Sequence, residues 1–175
     1  MSMELNKIYF FTATIHSWIP ILDQQGFKEI VLSSLKFLTV KDLLKVYGFV
    51  IMPNHIHLIW ELLELNGKEM PHASFLKFTS HEFLKKLRLE NPGLLRAFQV
   101  QEEIRSHSFW QRNSLPIEVF SPKVVFEKLD YIHQNPCRGK WMLADNPVSY
   151  PYSSFKFYET GKDRFGFLTH IGERL

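Results

Sequence analysis

A single cysteine, Cys137, is the only thiol in this chain, which excludes an internal disulfide and leaves no second cysteine to complete a zinc knuckle. That scarcity fits a reduced, cytoplasmic setting. No window approaches the roughly 18 uninterrupted apolar residues of a membrane span, and Met1 to Lys7 contains no basic stretch leading into an apolar one. The expectation is an unprocessed protein that stays off the membrane. Internal repeats, low-complexity tracts and convincing linkers are missing too, so one domain over 1–175 is expected.

What the chain does have is apolar bulk. Of its 175 residues 45% are hydrophobic and sixteen are phenylalanine, enough for a sizeable core. A net charge of +3 permits binding to a polyanion but is far from histone-like.

Periodicity orders the elements. Ile8 to Trp18, rich in β-branched and aromatic residues, reads as a strand closed by Pro20, and Leu22 to Leu38 carries apolar residues at helical spacing. Leu43 to Met52 and His55 to Leu63 form a hairpin around Pro53-Asn54, a turn dipeptide whose proline has no N–H to donate. Ala73 to Leu89 is an amphipathic helix whose polar face bears Lys77, Lys85, Lys86 and Arg88, ended by Asn91-Pro92-Gly93. Short strands are expected at Ser108 to Arg112 and Ile117 to Phe120, around a turn at Asn113 to Pro116. Ser121-Pro122 starts a last helix, and an irregular tail follows from about residue 140. This succession predicts an α+β sandwich with an antiparallel sheet.

The chemistry concentrates in two places. In Pro53-Asn54-His55-Ile56-His57-Leu58-Ile59-Trp60, two histidines flank one apolar residue. Strand alternation puts His55 and His57 on one side, with Cβ atoms roughly 7 Å apart, close enough for both imidazoles to share a metal ion. Asp130-Tyr131-Ile132-His133-Gln134-Asn135-Pro136 ends a helix more than seventy residues later. A tyrosine one turn before amide side chains could present a hydroxyl nucleophile to the same metal. Each feature alone has an ordinary structural explanation, since strand histidines are more often hydrogen-bonded residues and helix tyrosines are mostly core. The combination is what points to phosphoryl chemistry.

Met52-Pro53-Asn54-His55-Ile56-His57-Leu58-Ile59, then Phe109-Trp110-Gln111-Arg112, then Tyr131-Ile132-His133-Gln134-Asn135-Pro136, resembles in that order the single-tyrosine HUH transposases (His, hydrophobic, His), especially their REP-associated tyrosine transposase branch. Tyr152-Ser153-Ser154-Phe155 resembles that branch's tail, so the likeness runs from about Ile8 to Tyr158. The resemblance implies a ferredoxin-like sheet with helices packed on it. It further implies a metal-dependent endonuclease and strand transferase that cuts single-stranded DNA beside a hairpin, through a 5′-phosphotyrosine intermediate and a free 3′-OH. On this carry-over Tyr131 is the nucleophile, and His55 and His57 are ligands to a divalent ion such as Mg²⁺ or Mn²⁺.

Asn135, one turn after Tyr131, is the implied third ligand. Pro136 disfavours a helical backbone at the residue before it, which leaves Gln134 as the fallback. His133 lies about 200° around the helix from Tyr131 and should face elsewhere. Arg112 and Arg138, inside the matched motifs, are candidate DNA contacts, as are Lys85 and Lys86; Arg112 could equally brace a carboxylate. Trp110 and Trp141 could stack bases or pack in the core. A homodimer is compatible with the resemblance. Two other functions fit the residues: a nucleic-acid-binding relative without catalysis, and a metal-dependent phosphodiesterase that uses water.

Overall fold

Alternation decides which face each strand residue takes. In the computed structural model, which describes residues 3–102, 106–112 and 114–175, the first strand β1 is Ile8–Thr14. It stops there because Ser17 and Trp18 adopt left-handed backbone angles, φ 54° and 58°, which no strand accommodates. A single 3₁₀ turn, Ile21–Asp23, follows Pro20, and helix α1 spans Phe27–Val40, starting five residues later than its periodicity suggests. β2 (Leu44–Ile51) and β3 (His55–Leu62) form the expected hairpin, and α2 covers Pro71–Glu90. After a one-turn helix α3 (Pro92–Leu95), the edge strand β4 is Leu115–Glu118, and α4 is Pro122–Gln134. Ser121 caps α4 by accepting from the Val124 N–H, with proline at the first turn.

The sheet order is β2-β3-β1-β4, with every neighbouring pair antiparallel. This is the ferredoxin-like arrangement, two split β-α-β units, and the expected α+β class is the observed one. Tyr9, Phe11, Ala13, Ile56, Leu58 and Trp60 point to the face covered by α1 and α2. Ile8, Phe10 and Ile59 point the other way, into a second apolar cluster with Val125, Leu129 and Ile132 of α4. His55 and His57 share the parity of Ile59, so they look toward α4.

Two expectations change. Ser108 to Arg112 is not a strand: among the described residues its one bridge is Ile15 with Trp110, whose ring turns inward and donates its Nε1–H to Thr79 Oγ1 at 2.9 Å. The turn expected at 113–116 begins at a residue outside those described. The tail is also more regular than expected. It contains helix α5 (Phe155–Thr160) and lies along the outer edge of β2: Ile51 N–H donates to the Tyr152 carbonyl, Ser154 N–H to the Phe49 carbonyl and Thr169 N–H to the Val46 carbonyl. Edge groups that would otherwise stay unpaired are thereby satisfied. Arg174 closes the tail with both Glu61 carboxylate oxygens at 3.0 and 3.1 Å. No described helix is long and apolar enough to cross a membrane.

Gly48 sets how closely α4 approaches. The β2–β3 register shifts between Val46 and Gly48, and a Cβ added at Gly48 would sit 2.6 Å from Leu129 Cδ1 and 3.0 Å from Ile132 Cδ1. Only a residue without a side chain fits between this strand and helix. Gly48→Val should therefore destabilise the fold by about 1–3 kcal/mol through overpacking and loosen α4. Urea unfolding together with amide exchange along residues 122–134 would check this; an unchanged midpoint would refute it.

Candidate functional site

The hairpin turn builds half of the site. Asn54 is buried, and its Nδ2 donates to the Trp18 carbonyl at 3.1 Å while its Oδ1 lies 2.7 Å from His55 Nδ1. A carbonyl can only accept, so the amide is oriented with its oxygen toward the imidazole. His55 Nδ1 must then carry the proton, leaving a lone pair on Nε2. On the neighbouring strand, register places Thr12 directly opposite His57, and Thr12 Oγ1 lies 2.8 Å from His57 Nδ1. Both imidazoles are thus held through Nδ1, the arrangement by which an outer polar partner orients a metal-ligating histidine. Their ring centroids are 4.8 Å apart.

Electrostatics keep both rings neutral, the form that binds a metal. Burial, with Lys140 as a smaller influence, holds the His55 pKa down to about 4. His57 is pushed to about 3, first by burial, then by His55 and Lys128.

The other half comes from α4. The Tyr131 ring is 5.4 Å from His57 and 6.0 Å from Phe10, edge-on to each, and 47% exposed, so the nucleophile candidate is both held and reachable. Asn135 departs from the rule for residues before proline: its backbone is helical at φ −54° and ψ −44°, and a 3₁₀ turn, Asn135–Cys137, continues the path. Its place one turn below Tyr131 is therefore kept. Gln134 is half-buried beside it. His133 is buried on another side, with Nε2 2.8 Å from Ser154 Oγ, and so joins α4 to the tail. Among the described residues no three His, Cys, Asp or Glu side chains converge.

The proposed DNA contacts scatter. Lys85 and Lys86 pair with Glu82 at 2.6 Å and Glu90 at 2.7 Å on α2, the helix across the sheet from the histidines. Arg112 is exposed, pairs with Glu102 and borders a groove of about 560 Å³ between α2 and residues 106–112. Arg138 is exposed just beyond the Asn135 turn. Trp110 is core, whereas Trp141 is half-buried, with Lys140 Nζ 5.3 Å from its ring. Two residues beside the site, Thr12 and Lys128, have no role in the sequence reading, which uses Asn54 only as a turn residue. Lys128, three residues before Tyr131, was visible from helical spacing alone, while Thr12 required the strand register.

Acid should weaken this fold. His57 and His133, the latter held to about 4 by burial, stay neutral when folded but gain protons near 6.5 when unfolded. Between those values the unfolded chain binds more protons, so stability falls as pH drops from about 6.5 toward 4, by up to about 1.4 kcal/mol per pH unit for each imidazole. Urea midpoints at pH 7, 6 and 5 would record it; a flat series would contradict it.

No family model matches the chain. A curated protein of Haemophilus influenzae (strain ATCC 51907 / DSM 11121 / KW20 / Rd), "Putative REP-associated tyrosine transposase", is 29% identical over 106 residues, which are 60% of this chain and 55% of that protein. The chain thus spans about half the length of that relative. A solved REP-associated tyrosine transposase bound to a REP hairpin superposes with a TM-score of 0.61 at 18% identity, covering 98% of this chain and 90% of the other. The chain has the fold of a REP-associated tyrosine transposase. Both comparisons support the resemblance carried by the His-Ile-His and Tyr131 motifs. In this tyrosine transposase fold the two motifs, distant in sequence, meet on the α4 face of the sheet.

Proposed function

We propose that the chain is a transposase that cuts and rejoins single-stranded DNA beside a hairpin, in a reduced cytoplasmic setting. The observation that carries this reading is one cluster. Two neutral imidazoles are anchored through Nδ1, and a reachable tyrosine lies 5.4 Å from the second of them. The solved relative's REP hairpin supports the choice of substrate.

His55 and His57 through Nε2, with Asn135, would hold a divalent ion, Mg²⁺ or Mn²⁺, which when bound polarises a phosphate and steadies a leaving oxygen. The remaining work falls to the chain's own groups. Asn54 holds the His55 ring turned and in one tautomer, and Thr12 holds the His57 ring turned. Tyr131 Oη attacks phosphorus and gives up its proton; the P–O3′ bond breaks, and the departing oxygen takes up a proton as a 3′-OH. The 5′ end stays on Tyr131 as an ester, and attack by a 3′-OH on that ester rejoins the strand and restores the phenol.

Labelled hairpin-bearing single-stranded DNA and Mn²⁺, read on a denaturing gel, should give a slow-migrating protein-DNA adduct that disappears when the metal is chelated. Free 5′-phosphate ends without an adduct would instead mark attack by water.

A further inference from the structure

Lys128 lies one turn before Tyr131 on the same face of α4. It is half-buried, with Nζ 4.8 Å from the centre of the Phe10 ring and 6.0 Å from that of Tyr131. Most lysines with described partners differ from it: Lys7, Lys28, Lys77, Lys85 and Lys86 each sit within 3.3 Å of a carboxylate. Lys128 forms no ion pair among the described residues. The acids nearest in sequence, Glu127 and Asp130, are exposed, and Glu127 pairs with Lys123.

A cation drawn against the Phe10 ring, which itself stacks on His57, and beside the Tyr131 phenol lacks a counter-charge where one is most useful. Desolvation makes an ammonium costly unless an anion or a ring face offsets it. The Phe10 face offers part of that offset. A phosphodiester carries the missing charge, and when an oxygen attacks phosphorus the negative charge is spread over the non-bridging oxygens, where a fixed cation is most effective.

The geometry points to Lys128 as a catalytic residue that binds a non-bridging oxygen of the very phosphate Tyr131 attacks. The inference rests on Tyr131 being the nucleophile, as proposed above. A lysine that merely packs on Phe10 would be replaceable by methionine, and one that only holds hairpin DNA would affect affinity rather than rate.

The test measures single-turnover adduct formation at saturating hairpin DNA, and hairpin affinity separately, for wild type, Lys128→Met and Lys128→Arg. Lys128→Met should slow adduct formation about 100-fold while changing affinity less than about threefold, and Lys128→Arg should recover most of the rate. A second substrate, with a neutral methylphosphonate at the scissile linkage, should be cut at similar rates by wild type and Lys128→Met, because it lacks the charge that Lys128 binds. Equal slowing on both substrates, or a wild-type rate for Lys128→Met, overturns the assignment to Lys128 alone. A wild type that binds hairpin DNA but forms no adduct overturns the nucleophile reading, and this inference with it.

Discussion

Tyr131→Phe is expected to form no covalent adduct with hairpin DNA, a fall of at least about 10³-fold, while its hairpin affinity and unfolding midpoint stay close to those of wild type. The substitution removes one oxygen. The contacts of the ring, edge-on to Phe10 and His57, remain available to phenylalanine, and the Tyr131 hydroxyl makes no hydrogen bond among the described residues. The expected loss is therefore chemical rather than structural. An adduct still formed by the variant would remove Tyr131 from its role and redirect attention to another hydroxyl. Loss of both adduct and fold would mean that the ring is held more tightly than its 47% exposure implies.

His57→Ala should fail in a different way. Its imidazole is one of the two nitrogen donors proposed on β3, so Mn²⁺ affinity should fall at least about 100-fold, as read by calorimetric titration of the protein without DNA. The variant also deletes a buried ring stacked on Phe10 at 5.3 Å and leaves Thr12 Oγ1 without its partner. A stability cost of about 1–3 kcal/mol is expected alongside. Thr12→Val separates the two effects. It keeps the imidazole but removes the hydroxyl that orients it, and should lower Mn²⁺ affinity about 10- to 100-fold with a smaller cost in stability. Unaltered Mn²⁺ binding by His57→Ala would end the ligand assignment.

Much of this site could be read from the residues because its key spacings are local. His55 and His57 fall on one side of a strand by alternation, Ser121-Pro122 starts the helix that carries Tyr131, and His133 was expected to face away, as it does toward Ser154. The harder features depend on partners distant in sequence. Thr12 belongs to the site only because β1 pairs with β3 in one register, and Gly48 matters only because α4 crosses β2 at that point. Trp110 looked like part of a strand until the core claimed its ring. Asn135 reversed a local rule, since a helical backbone before proline persists where the following 3₁₀ turn continues the chain's direction.

The tail strap along β2 also has a consequence in time. Strand β3 leaves the ribosome well before helix α4, and Ser154, which His133 contacts, and Tyr150, whose hydroxyl donates to the Ile51 carbonyl at 2.6 Å, come later still. A nascent chain halted after α4 would hold both motifs without the tail that ties α4 to β2, so vectorial synthesis delays that tie until the tail has emerged.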